Sequence, residues 1–281
     1  MTVKIITDSV ADVPPQIAKD LGITIVPLVV SFGTDFYRDG VDLTTEKFYD
    51  KLAHSRVFPT TGAPGPGVFA EAYDRLAKET DGIIAIIVSA KVSATYEAAV
   101  QGRELSKSKC RLEIVDSRRG IMGEGLVAIA AAKAARAGAG FDELVEVIRR
   151  NIERSDIRIA FDTLEYLRRG GRIGAAQAFM GAMLRVNPIL TLNDKGVQPV
   201  AREHSRAKAI DYLYNFAMSY TSIDEMAIED ATTPDEASVL TERLSSIFPK
   251  ERIYRTKVSP VVGAHVGPRA LSIAVLGDKT L

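Results

Sequence analysis

The sequence predicts an α/β protein of two domains: an N-terminal α/β/α domain on a parallel sheet (residues 1–155) and a C-terminal α+β domain with a partly antiparallel sheet (residues 156–281). Three observations predict it. Before Ser155, apolar β-branched runs alternate with amphipathic stretches, the order of a parallel sheet covered on both faces. Ile83–Val88 is a near-continuous apolar run of the kind buried on both faces of such a sheet. After Ser155, Asn193-Asp194-Lys195-Gly196 separates two apolar runs and reads as the turn of an antiparallel hairpin.

The elements follow in order. Val3–Ile6 is a buried strand, and Pro14-Pro15 then opens a helix that Gly22 closes. Ile23–Phe32 reads as one long second strand. Thr45–Ala53 is a short helix, and Val68–Lys78 a helix with Phe69, Ala72, Tyr73 and Leu76 on one face. Ile83–Val88 leads into the loop of Ser93 and a further helix, and Leu112–Val115 is a strand. Ile121–Arg136 is an alanine-rich helix interrupted by glycine, and Phe141–Ile152 is another helix. In the second half, Ile157–Phe161 is a strand, Thr163–Arg168 and Ala175–Leu184 are helices parted by Gly170-Gly171, and 188–192 with 197–201 form the hairpin. Ser205–Tyr220 is an amphipathic helix and Met226–Glu229 a strand. Thr233-Pro234-Asp235-Glu236 has the spacing of a capping box that starts a helix. Ile253–Val258 and Ala270–Leu276 close the chain as strands.

Composition narrows the function. With 281 residues, 46% hydrophobic and 26% charged, the chain has enough apolar residues for a large core and reads as a soluble globular protein. Lys+Arg and Asp+Glu are both 36, so the basic excess of a dedicated nucleic-acid binder is missing. Cys110 is the only cysteine, which excludes an internal disulfide and a multi-cysteine zinc site, and suits a reducing compartment. There is no apolar run of about 18 residues and no signal-peptide pattern, so a cytoplasmic protein is expected. No phosphate-binding Gly-x-x-x-x-Gly-Lys-Ser/Thr loop, no Gly-x-Gly-x-x-Gly after the first strand, no His-Glu-x-x-His and no Gly-x-Ser-x-Gly elbow occur.

Three residues in glycine- and proline-rich turns stand out: Thr61, Ser93 and His265. Such turns expose backbone N–H groups and admit a ligand closely. Two hydroxyls and an imidazole, if they converge, can hold a small carboxylate. Two of them also have a plain structural reading, Ser93 as a helix cap and His265 as a turn residue. Thr7-Asp8-Ser9 and Asp116-Ser117 end strands where α/β sheets place ligands, or are simply Asx-turns. Arg202, in a basic cluster with Arg206 and Lys208, is either a solvated face or a docking patch for a phosphate or acidic partner. In Glu165–Ile173 the glycines fit a helix stop, and the arginines are free for more than that.

Taken together, these motifs resemble the DegV family of bacterial fatty-acid-binding proteins over the length of the chain. Ile5–Asp12 is similar to the family opening, and Thr61–Gly67 matches a Thr-Ser-Gln-Pro-Ser-Pro-Gly turn at Thr61, Pro64, Pro66 and Gly67. Ser93-Ala94-Thr95-Tyr96 matches a Ser-Gly-Thr-Tyr segment. Asp116-Ser117, Leu164–Ile173, Asn187-Pro188-Ile189 and His265-Val266-Gly267-Pro268 also have counterparts. The resemblance implies one long-chain fatty acid held between the two domains. Thr61 and Ser93 would bind its carboxylate with His265 beside them, and Arg202 would lie at the mouth where a fatty acid kinase subunit docks. It also implies a carrier rather than an enzyme, with no cofactor and no metal. The kinase would convert the bound acid to an acyl phosphate for phospholipid synthesis, with at most transient membrane contact. Gly62, Gly65, Ala94 and Arg269 depart from the family pattern.

An acyl tail gains about 0.8 kcal/mol per buried CH₂, so a sixteen-carbon acid needs a long apolar tunnel. Ile25–Val30, Ala175–Leu184 and Ile121–Ala130, with Met122, Met180 and Met183, are the expected walls. The competing readings are a stand-alone hydrolase or phosphotransferase using Ser93 and His265, and a lipid-sensing regulatory protein.

Overall fold

A computed structural model describes residues 3–182 and 186–279. The chain runs β1 (Lys4–Asp8), α1 (Pro15–Leu21), β2 (Thr24–Val26), β3 (Val29–Phe32), β4 (Asp35–Arg38), α2 (Thr45–His54), β5 (Thr60–Gly62), α3 (Pro66–Leu76), β6 (Gly82–Ile87), α4 (Thr95–Leu105) and β7 (Arg111–Asp116). It continues through α5 (Ile121–Arg136), α6 (Phe141–Arg154), β8 (Ser155–Ala160), α7 (Glu165–Arg169), a 3₁₀ segment (Gly174–Ala182), β9 (Asn187–Asn193) and β10 (Gly196–Glu203). It ends with α8 (Arg206–Met218), β11 (Tyr220–Asp230), α9 (Pro234–Leu244), β12 (Ile253–Lys257), α10 (Pro260–Val266) and β13 (Leu271–Lys279).

The first sheet is parallel throughout, in the order β2-β1-β6-β7. Its central strand β6 is buried at every position, as its unbroken apolar run requires. A six-stranded sheet, ordered β10-β9-β8-β13-β11-β12, is antiparallel except for the β11–β12 pair. The β9–β10 hairpin turns at Asn193–Gly196, where the Asn193 side chain accepts from the Lys195 N–H and Gly196 takes φ 84°. Between the two sheets lies α5, buried on nearly all sides because almost every residue in it is apolar or small. Its Gly123-Glu124-Gly125 step is a packing feature: a Cβ at Gly125 would come within 2.4 Å of the Ala11 carbonyl. One hydrophobic cluster runs from Ile5 through α5 to Leu276, so the apolar interior is continuous across both sheets. Among the described residues no helix is long and apolar enough to cross a membrane.

Four local expectations differ. The single strand expected over Ile23–Phe32 is two, β2 in the parallel sheet and β3 in a small antiparallel sheet ordered β4-β3-β5. Pro27 has no N–H to give a ladder, and the Leu28 N–H turns to the Ser9 hydroxyl instead. The helix expected over Ala175–Leu184 is a 3₁₀ segment as far as Ala182, and Met183 and Leu184 lie outside the described residues. The capping box at Thr233 does not close, because Glu236 is drawn away to Arg206 and Arg269 and the Thr233 N–H goes to Asp230. Arg202, one residue past the strand expected over 197–201, stands inside β10.

Candidate functional site

A cavity of about 350 Å³ opens between the two large sheets. Most of its wall is aliphatic or aromatic: Val10, Leu28, Val88 and Ile121 from the first half, Ile159, Phe161, Leu190 and Val262 from the second. Among the described residues of the expected walls, only Leu28 and Ile121 face it. Ile25 lines a different cleft, Met122 is buried in the core and Met180 packs against the core from its edge. Residues of β8, β9 and α10 and of the loops beside them supply most of the rest, where β8 packs against α5.

The polar residues gather at one part of this cavity. Thr61, Ser93 and His265 all line it, and Arg172 joins them. Thr61 is carried by β5, paired with Val30, and His265 by the last turn of α10. Thr61 Oγ1 and His265 Nε2 are 2.7 Å apart, a hydrogen bond across 204 positions of sequence. His265 Nδ1 is buried and has no hydrogen-bond partner. Burial, and then the nearby Arg172 charge, push the imidazole pKa down to about 4, so the ring is neutral near pH 7. A neutral ring has one N–H, and a bare lone pair at Nδ1 costs less than an unpaired buried N–H donor. The proton therefore belongs on Nε2. From Nε2 it is donated to Thr61 Oγ1, which leaves the Thr61 O–H for another acceptor.

Ser93 sits just outside α4. Its Oγ accepts the Thr95 N–H at 3.2 Å and contacts Thr95 Oγ1 at 2.8 Å, while the N-cap position belongs to Ala94. Either hydroxyl of that pair can donate, and where Thr95 donates the Ser93 O–H is free for a ligand in the cavity that Ser93 lines. In this geometry His265 bonds Thr61 and Ser93 bonds Thr95. Arg172, absent from the expected site residues, ties the polar end together. Its Nε donates to the Val92 carbonyl at 3.1 Å and its Nη1 to the Gly170 carbonyl at 2.8 Å, which fixes the Ser93 loop to the end of α7. The sequence signal was the arginine placed directly after Gly170-Gly171. Gly170 has a second task. A Cβ there would stand 2.2 Å from His265 Nδ1, so only glycine lets the imidazole lie against α7.

Other singled-out residues are structural. Asp8 accepts the Val10 and Val88 N–H groups, both at 2.9 Å, and so clamps two segments of the cavity wall; burial pushes its pKa up to about 7. Asp116 accepts from the Ala90 and Arg118 N–H groups. Ile121 lines the cavity at φ 44°, an uncommon conformation for a β-branched residue, with the following Met122 N–H held by Glu229. Arg202 is exposed, outside the cavity lining, with its guanidinium 4.1 Å from the centre of the Phe179 ring. Arg206 is engaged by Glu236 and Asp162, and Arg269, a departure from the family pattern, joins the same two acids. His54 and His204 are exposed and remote from the cavity lining.

Comparison with known proteins places this geometry. A family model described as "Uncharacterised protein, DegV family" matches residues 2–278. A DegV domain-containing protein of Caldanaerobacter subterraneus is 34% identical over 275 residues, 96% of this chain and 97% of the relative. A Thermus thermophilus structure described as fatty acid binding of a DegV family protein superimposes with a TM-score of 0.90 at 28% identity, over 99% of this chain and 100% of that one. DegV of Bacillus subtilis, described as a fatty acid binding protein, superimposes at 0.87 with 27% identity over the same shares. The matched residues, the identity and the shared architecture make this chain a member of the DegV family.

Proposed function

We propose that this protein binds a long-chain fatty acid, with the tail in the apolar cavity and the carboxylate at Thr61, Ser93 and His265, and presents that carboxylate to a separate kinase. The observation that carries the reading is the 2.7 Å Thr61–His265 hydrogen bond at the polar end of an otherwise apolar cavity. The two structural relatives described as fatty-acid-binding proteins support it. The volume falls within the roughly 300–1,000 Å³ typical of small-molecule sites. Hydroxyl donors from Thr61 and Ser93 orient the carboxylate, and Arg172 offsets part of its charge. Neutral donors leave a carboxylate oxygen nucleophilic enough to take a phosphoryl group from a kinase-bound nucleotide, forming an acyl phosphate for phospholipid synthesis. On this reading the protein is a carrier, meeting the membrane surface only transiently.

Arg202 is the proposed kinase-docking residue. It is exposed and, stacked on Phe179, already restricted in its conformations, so little entropy is lost on engaging an acidic or phosphate-bearing partner. The test has two arms. Denaturing extraction and mass spectrometry of the purified protein should yield a non-covalent long-chain fatty acid. Arg202→Ala should keep that lipid yet weaken kinase-dependent acyl phosphate formation, with the deficit shrinking at high salt. Absence of lipid together with no uptake of added acid sinks the binding reading. Parent-like acyl phosphate formation by the variant across kinase concentrations sinks only the docking role.

A further inference from the structure

A second and larger cleft, about 650 Å³, lies beyond the Ser9–Ala11 turn: Val10 faces the fatty-acid cavity, while Asp8 and Ser9 line this one. Its walls are apolar and stiff, from Val13, Pro14, Ile25, Pro27, Val41 and Pro260. Its floor is acidic, with the Ser9 and Ser259 hydroxyls near Asp39 and the Glu229 carboxyl beside Asp12, yet one oxygen of each aspartate completes no hydrogen bond. Asp39 is 3% exposed, its Oδ1 accepts the Val261 N–H at 3.3 Å, and its Oδ2 completes no hydrogen bond. Asp12 is 7% exposed, its Oδ2 accepts the Ser259 N–H at 3.3 Å, and its Oδ1 is likewise unpartnered. The Ser259 hydroxyl, on the C-terminal side of the cleft, also has no hydrogen-bond partner. Orphaned buried carboxylate oxygens are costly and rarely kept without a purpose.

The cations at this cleft are already taken. Lys257 stands 2.5 Å and Arg255 3.8 Å from Asp230, and among the described residues neither forms an ion pair with Asp12 or Asp39. Among the described residues, no three His, Cys, Asp or Glu side chains are grouped to hold a metal ion. What the floor offers is two carboxylates and a hydroxyl, three oxygen acceptors in an apolar surround. That set matches the three N–H donors of a primary ammonium on a hydrocarbon body. We propose that this cleft is a second ligand site, which takes a small organic primary amine with its ammonium among Asp12, Asp39 and Ser259 and its body against the proline walls. The site joins both halves of the chain, and Asp8 links it to the Val10 and Val88 wall of the first cavity. Burial raises Asp39 to about 6, and burial followed by the Glu229 charge raises Asp12 well above its ordinary range; an ammonium would draw both back down.

The test is calorimetry on the full chain with benzylamine, and with benzyl alcohol as the neutral isostere. The amine should bind and the alcohol should bind at least about tenfold more weakly, one charge-assisted contact being worth that much. Asp39→Asn should weaken the amine at least about tenfold while leaving fatty-acid uptake unchanged, since Asp39 lies outside the first cavity. If that variant does not fold, Ser259→Ala removes one acceptor from the opposite side and should weaken the amine severalfold. Equal affinity for amine and alcohol overturns the proposal, as does amine affinity unchanged in the folded variants, or displacement of the amine by a long-chain fatty acid.

Discussion

Gly170→Ala tests the head-group geometry without touching a ligand-facing side chain. Gly170 has φ −77° and ψ −5°, a conformation open to any residue, so the substitution acts through sterics alone. The new Cβ would lie 2.2 Å from His265 Nδ1 and 2.8 Å from Cε1, whereas ordinary contact begins at 3.4 Å. The ring must therefore yield by about 1.2 Å, the difference between 2.2 and 3.4 Å. It cannot slide along its Nδ1–Nε2 axis, because Thr61 Oγ1 already touches Nε2 at 2.7 Å. It must tilt or push Thr61 aside, and either movement misaims the Thr61 hydroxyl. Losing one charge-assisted hydrogen bond of about 1.5–3 kcal/mol corresponds to affinity about 10- to 150-fold weaker. Overpacking costs a further ~1–3 kcal/mol in stability, independent of ligand. Displacement of a fluorescent fatty acid measures the affinity, and the ring resonances of His265 report its position. Affinity within about twofold of the parent, with the His265 signals unmoved, would refute the reasoning.

Three further outcomes follow from the same geometry. Ser93→Ala should weaken fatty-acid affinity about tenfold or more while leaving α4 intact, since the N-cap position is Ala94; unchanged affinity would reduce Ser93 to a turn residue. Arg172→Ala should loosen the Ser93 loop and raise the His265 pKa from about 4 toward 6.5, because one of its two depressing influences is gone; an NMR titration showing no rise would contradict this. Burial lifts Glu229, which shares its proton with the neighbouring Asp12, from its ordinary 4.5 to about 7, so the folded state holds that proton more tightly than the unfolded chain does. Stability from this group is therefore complete below about 4.5 and lost as pH rises through about 7. Glu229→Gln should gain on the parent in denaturant titrations across that window, and parallel pH curves for the two proteins would count against it.

Much of the architecture was legible locally. Ile121–Arg136 reads as a helix and is α5; Pro15 opens and Gly22 closes α1; Asn193–Gly196 turns the hairpin. These features depend on residues a few positions apart, where hydrophobic period, fixed proline φ and glycine freedom act directly. The strand breaks were less legible. Pro27 ends β2 because a ladder N–H is missing, but that β3 then joins a separate sheet depends on pairing with β4 and with the distant β5. The capping box at Thr233 failed for a similar reason: Arg206 and Arg269, remote in sequence, outcompete the local bond for Glu236.

The sequence by itself determined the class of elements and the strand buried on both faces, and it singled out Thr61, Ser93 and His265, which line one cavity. The tertiary structure alone decided that Thr61 meets His265 across 204 positions, that Arg172 joins them, and that β8, β9 and α10 wall the cavity instead of the 3₁₀ segment. It alone decided that His265 stays neutral, since the pKa follows from burial and a neighbouring guanidinium rather than from residue type. Local backbone preferences are written into neighbouring residues. A cavity is written into none of them, because it is the space left where distant faces fail to touch.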